Sequence, residues 1–261
     1  MLLQYDRNRK LPTAKDLPHT DDTPVDNELQ NDLPNLLRAM LASIWADRRD
    51  WFFGVDMGIY YDPDQPAIIP DGFLSIGVPR WIGSDLRLSY VLWEEQKLPI
   101  LVLEVVSKTR RGEYTTKKDF YEEMGILYYV IHNPLRKRKQ KLEIYKLNNG
   151  KYELLEGEAV WLPEISIGIM REKATYMGLE YDWVYWMDEQ GKRYLTPEEQ
   201  VKEAQQQAQE AQQQAQEAQQ QAQEAQQQAQ EAQQQAQEAQ RRAELLEERL
   251  RGLGIDPNEL E

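Results

Sequence analysis

From Thr196 onward the chain can form little except one long helix. The seven-residue repeat Glu-Ala-Gln-Gln-Gln-Ala-Gln begins at Glu203 and recurs at Glu210, Glu217, Glu224 and Glu231. Ala and Gln favour helix. The apolar positions step by three and four through Val201, Ala204, Ala208, Ala211 and Ala215, and on to Ala243, Leu246, Leu250 and Leu253. A heptad seam over about seven repeats marks a coiled coil, and at about 1.5 Å per residue it runs roughly 80 Å. Thr196 as N-cap, Pro197 at N1 and Glu199 at N3 signal the start, because proline at N1 removes only an N–H that has no helical partner. Gly252 and Gly254 end it. The all-Ala middle buries little area and its flanking Gln carry no charge code, so pairing there is expected to be weak. Leu246, Leu250 and Leu253 form a short true zipper. With Val201 at position a, Arg242 falls at g and Glu247 at the following e, an attractive pair between parallel identical strands. The expectation is a weak parallel homodimeric stalk clamped at its tip, against the alternative of a solvated single helix.

The rest divides into a polar lead-in over residues 1–22 and a globular part over 23–195, with the coiled coil at 196–253 and a tail at 254–261. At 41% hydrophobic over 261 residues, one sizeable core is affordable. The net charge of −14 argues at first against nucleic acid. Residues 197–261, however, hold 14 acids and 5 bases, net −9, which leaves −5 on residues 1–196. Phosphate contacts depend on local field more than on total charge. The absence of Cys excludes disulfides and thiolate metal sites and fits an intracellular location. No apolar run approaches the roughly 18 residues of a membrane span, and Met1–Arg7 has no signal-peptide core. A cytoplasmic protein without a membrane partner is expected.

The globular part reads as mixed α/β. Residues 23–47 predict a helix with Leu29, Leu33, Leu36, Leu37, Met40, Leu41 and Ile44 on one face. Residues 51–61, 72–78, 86–93, 99–106 and 126–131 read as strands, the last two strongly apolar, with a helix over 113–124 between them as a βαβ-like crossover. Asn148-Asn149-Gly150 between two alternating runs predicts a hairpin. Residues 179–188 read as an edge strand.

Two acids stand against this apolar background: Asp71 after Ala67-Ile68-Ile69-Pro70, and Glu104 after Ile100-Leu101-Val102-Leu103. A carboxylate in a buried strand is costly unless paired or bound to a cation. Two in neighbouring strands can hold Mg²⁺, which takes oxygen ligands and keeps several waters. The ion polarises a phosphodiester and lowers the pKa of a water, and a nearby Lys stabilises developing charge.

Pro70-Asp71, Glu104-Val105-Val106-Ser107, Lys117 with Tyr121, and Gly125 to Pro134 (Gly-Ile-Leu-Tyr-Tyr-Val-Ile-His-Asn-Pro) together resemble the Uma-two family of putative restriction endonucleases, within the PD-(D/E)XK nuclease superfamily. The resemblance covers roughly residues 20–190. It implies a restriction-endonuclease-like mixed sheet flanked by helices, Mg²⁺-dependent DNA cleavage with Mn²⁺ as a substitute, and a dimer. It assigns Asp71 and Glu104 to the metal. The superfamily lysine two residues after the Glu is Val106 here. Lys117 matches the family's relocated lysine, with Glu113 one helical turn before it and Glu28 matching an acid from an N-terminal helix. Lys108 is the rival on strand parity, but lies roughly 13 Å along the strand from Glu104.

Lys108, Arg110 and Arg111 beside the site, and Arg136, Lys137 and Arg138 in a basic loop, are candidate DNA contacts. Each also has a plain structural reading: a turn cap for Asp71, solvated lysines in a helix, a first-turn acid at Glu28, a solvated loop. Asp56 and Tyr121 are expected to be structural. His19 and His132 are too few for zinc and lack an evident nucleophile to serve. No phosphate-binding Gly loop occurs, and no single-strand stacking platform is evident among the Trp and Tyr. A catalytically silent scaffold working through its coiled coil is the competing expectation, and an RNA nuclease or nickase a weaker one.

Overall fold

The most apolar strands of the chain lie side by side at the centre of a six-stranded sheet, where both faces are covered. The structure is a computed structural model that describes residues 5, 9–18, 27–82, 86–109 and 111–254. It forms two units, residues 1–198 and 199–261. In chain order the elements of the first are α1 (Glu28–Ile44), β1 (Trp51–Val55), β2 (Ile59–Tyr60), β3 (Gly72–Ile76), β4 (Tyr90–Val91), α2 (Leu92–Glu95), β5 (Leu101–Val105), α3 (Thr116–Met124), β6 (Tyr128–His132), β7 (Leu142–Asn148), β8 (Lys151–Leu154), β9 (Ala159–Leu162), β10 (Ile167–Tyr176) and β11 (Leu179–Met187).

The main sheet runs β1-β3-β5-β6-β7-β8. Only β5 and β6 are parallel, paired from Leu101↔Tyr128 to Val105↔His132, and α3 makes the crossover that a parallel pair requires. An antiparallel pair can close through a tight turn. Asn149 (φ 49°) and Gly150 (φ 79°) close β7 to β8, the doubly left-handed turn that Asn-Gly favours. Met177 (φ 50°) and Gly178 (φ 80°) close the longer hairpin of β10 and β11 in the same way.

Side-chain alternation then sorts the sheet into two cores. Leu101, Leu103 and Val105, with Tyr128 and Val130, face α1 and the inner side of a second sheet, β11-β10-β9. Val102 and Val106, with Tyr129 and Ile131, face Tyr121 and Met124 of α3. Trp186 ties the first layer together: its Nε1 donates to Leu37 O of α1 at 2.9 Å, and its ring meets Phe53 edge-on. The lead-in is anchored where described, with Tyr5 Oη donating to Tyr61 O and Trp93 Nε1 to Pro12 O.

Several expected boundaries move. Ala67–Ile69 is not a strand; only Ile68 bridges Ile59. Asp71 therefore stands immediately before β3 rather than closing a preceding strand. Over 86–93 only Tyr90–Val91 is extended before α2 begins, because Leu92-Trp93-Glu94-Glu95 turns into a helical pass ending at Gln96 in the left-handed region. The crossover helix starts at Thr116, three residues later than expected, and stops at Gly125 (φ 90°), whose N–H reaches back to Tyr121 O and Glu122 O. β11 is an edge strand, but Trp183–Met187 is buried, because the second sheet lays its inner face on α1 and β1.

The second unit is helical. α4 spans Pro197–Gly252, starting at the proline expected at N1. No side chain in it is buried. Among the described residues no helix is long and apolar enough to cross a membrane.

Candidate active site

Parity on β5 decides where Glu104 goes. Odd-numbered neighbours face α1, so Glu104 faces α3 with Val102 and Val106, where it is 1% exposed. Lys117 and Tyr121, one helical turn apart on α3, point back at it. Lys117 Nζ donates to Glu104 Oε2 at 2.7 Å, and Tyr121 Oη donates to Oε1 at 2.9 Å. Burial pushes the Glu104 carboxyl up, Lys117 and Tyr121 oppose this, and Glu113 adds to it.

Asp71 arrives from the neighbouring strand. β3 and β5 pair antiparallel with Gly72 opposite Leu103, which sets Asp71 beside Glu104 across the ladder. Its Oδ2 accepts the Val105 N–H at 2.6 Å. The Asp71 carboxyl is pushed up to about 8, first by burial and then by the Glu104 carboxylate; the Val105 amide and Lys117 pull it down, and Asp56 raises it further. A carboxyl displaced this far beside a second one is a site with a deficit of positive charge.

Among the described residues no group of three or more His, Asp or Glu side chains is placed to hold a metal. The pair itself suffices for Mg²⁺, which commonly takes one or two carboxylates and fills its octahedron with water and substrate oxygens. Each carboxylate oxygen has two acceptor directions, so Glu104 keeps lone pairs beyond those used by Lys117 and Tyr121. The donor set fits a magnesium-type cation, and the mutual repulsion of the two acids is what such a cation relieves.

The other expected residues divide. Glu113 is buried in the turn before α3, not on it. Its carboxylate accepts the Arg111 N–H through both oxygens at 3.0 Å, and its carbonyl accepts the Tyr129 hydroxyl. Glu28 is exposed in the first turn of α1, behind the Asn27 cap. The side chain α1 sends to β5 is instead Gln30, whose Nε2 donates to Val105 O at 3.1 Å. An amide two positions along the helix has the buried face that Glu28 lacks. Lys108 is exposed and lines a groove of about 480 Å³ with Glu28, Ser107, Thr109, Leu135 and Tyr181. In the basic loop, Arg136 is engaged internally. It pairs with Glu143, donates to Gln140 O and stacks over Tyr114, whereas Lys137 and Arg138 are exposed. Arg110 and His19 lie outside the described residues.

Tyr121, expected to be structural, is buried in the core and also donates to Glu104, and Gln30 is not among the expected residues. Tyr121 stands four residues after Lys117, the spacing that puts both on one helix face, and that signal was available. Nothing in the sequence marks Gln30.

Comparison with known proteins adds the following. The family model described as "Putative restriction endonuclease", Uma2, matches residues 21–169. A second, the alanine zipper of the major outer membrane lipoprotein, matches residues 196–252. A crystal structure of a putative nuclease belonging to DUF820 from Anabaena variabilis is similar at 13% identity and a TM-score of 0.40, over 58% of this chain and 88% of that one. No curated protein matches.

Proposed function

The chain belongs to the Uma2 family of putative restriction endonucleases, and from that premise we propose that it is a Mg²⁺-dependent endonuclease hydrolysing DNA phosphodiester bonds. The observation that carries this reading is the convergence of Asp71, Glu104 and Lys117 from β3, β5 and α3. Asp71 and Glu104 would hold the ion, and Mn²⁺ would substitute for it. When bound, it supplies Lewis acidity toward the phosphodiester and makes a nucleophilic water available at neutral pH.

The chain's own residues do the rest. The Val105 N–H fixes the Asp71 carboxylate, so its free oxygen is presented without rotamer search. Tyr121 fixes Glu104 in the same sense. The Lys117 ammonium, held at the carboxylate, orients the attacking water and offsets negative charge as the phosphorane forms. Lys108, Lys137 and Arg138 extend the positive field beyond the metal-binding acids toward the DNA backbone, Lys108 along the wall of the groove. Two such units, joined through the alanine seam of α4 in a homodimer, would present two sites to a duplex.

One observation favours a second reading, a catalytically silent scaffold: each Glu104 carboxylate oxygen already accepts a hydrogen bond, one from Lys117 and one from Tyr121. Plasmid DNA incubated with the protein and Mg²⁺ or Mn²⁺, beside Asp71→Asn and Glu104→Gln, separates the two. Metal-dependent nicking or linearisation lost in both variants is the expected result. No cleavage, with no divalent-ion binding by calorimetry, leaves the scaffold.

A further inference from the structure

At the far end of β3 from Asp71, arginines and tryptophans alternate in a ladder that the hydrolytic site does not use. Arg48 lies 4.7 Å over Trp45, and Trp45 meets Trp51 edge-on at 5.6 Å. Arg80 lies 3.9 Å over Trp51 and 5.9 Å from Trp81, and Arg49 covers Trp81 at 5.2 Å. The backbone locks the rows together, Arg80 N–H donating to Arg49 O at 2.9 Å. The ladder emerges at Trp81, which is 61% exposed. An indole that large left in solvent, with guanidiniums against it, is an unfilled surface rather than a core residue.

The charge is unbalanced too. Asp50 pairs with Arg48 and Glu95 with Arg87. Arg38, Arg49 and Arg80 have no carboxylate partner among the described residues, and Asp47 is the remaining exposed acid of the segment between α1 and β1. Burial and the neighbouring Arg38 and Arg87 guanidiniums together push Arg80 below the usual arginine range. A chain of net charge −14 has concentrated cations here.

We propose that this ladder binds single-stranded nucleic acid, with a base stacked on Trp81 and phosphates on Arg38, Arg49 and Arg80. Every base has a π-face, and aromatic–base stacking combined with arginine is the general solution for strand binding without sequence readout. The rival occupant is the acidic α4 of a second copy. Its repeat carries one Glu per heptad, about one charge per 10 Å of helix. Duplex DNA has one phosphate per roughly 1.7 Å and a single strand one per roughly 3.4 Å. Three clustered arginines match the denser polyanion. The inference is separate from cleavage, since it concerns a surface remote from Asp71 and Glu104.

The test is fluorescence anisotropy with a labelled oligothymidylate of about 16 nucleotides, using the full chain in chelator so that no cleavage occurs. Trp81→Ala is expected to weaken binding about ten-fold. Arg38→Glu with Arg49→Glu should weaken it at least as much and reduce the salt slope by about 0.7 per arginine. Lys202→Glu, on α4, should change little. All altered side chains are exposed, and unchanged melting temperatures would verify that each variant is folded. Unchanged affinity in Trp81→Ala overturns the proposal. So does an arginine variant that keeps its affinity but sediments at half the mass, which would place the α4 of a second copy on the ladder.

Discussion

The Asp71 carboxylate is held at 2.6 Å by the main-chain N–H of Val105, the residue directly after Glu104. One backbone donor thus fixes one acid relative to another across the β3–β5 ladder, and no side-chain rearrangement is required to bring the pair together.

That placement makes metal-free stability depend on pH in an unusual direction. The Asp71 carboxyl lies near 8 when folded and near 3.9 when unfolded. Between those values the folded state binds the extra proton, so stability falls as pH rises from about 4 to about 8. The melting temperature in chelator is expected to be higher at pH 6 than at pH 8. In Asp71→Asn that difference should shrink, and a dependence of full size in the variant would remove Asp71 as its source.

Cation binding must displace that proton. At pH 7 most Asp71 is protonated in the metal-free protein, so loading with Mg²⁺ releases protons. Calorimetry in buffers of different ionisation enthalpy should register a fraction of one proton, falling toward zero by pH 9. A buffer-independent heat at pH 7 would contradict the pair as the ligand set.

Lys117 and Lys108 should separate cleanly. Lys117→Met leaves Glu104 buried without its cation, at a cost of about 1–3 kcal/mol measured by denaturant unfolding, less than for a fully buried pair because the lysine is partly exposed. It should also lower cleavage by about 10²-fold or more. Lys108→Met, exposed on the groove wall, should leave stability unchanged and raise KM. The reverse pattern would transfer the catalytic lysine to Lys108.

Tyr121→Phe removes a donor to a buried carboxylate and should cost about 1.5–3 kcal/mol. Its effect on cleavage should be smaller than that of Lys117→Met. Equal losses of rate would mean that Tyr121 contributes to the chemistry beyond fixing Glu104.

The α4 seam is expected to pair weakly and reversibly. Sedimentation equilibrium of the full chain should give a dimer that dissociates on dilution, and Leu246→Glu with Leu250→Glu should give a monomer throughout. A monomer at every concentration in the unaltered chain would leave α4 a solvated single helix.

Much of this molecule is written in local pattern. The heptads, the Thr196-Pro197 start, the α1 stripe, the Asn149-Gly150 turn and the two apolar strands each report a period or a backbone preference confined to a few neighbouring residues. Residues 86–93 depart from the expected strand because short apolar runs carry no period long enough to distinguish strand from turn. The second sheet stayed hidden because β9 to β11 alternate irregularly, and Trp183–Met187 is buried by contact with α1, a partner remote in sequence.

The candidate site divides along the same line. The sequence by itself determined which acids are expensive: Glu104 in an apolar run needs a partner wherever the strand lies. Tertiary structure alone decided that β3 and β5 are neighbours in the register that sets Asp71 beside Glu104, that α3 presents Lys117 and Tyr121 to it, and that Gln30 rather than Glu28 reaches the strand. It also decided that Arg48, Arg80 and Arg49 stack on Trp45, Trp51 and Trp81. Strand register and helix docking are set by the summed packing of the core, a property of the whole fold that no single stretch of residues encodes.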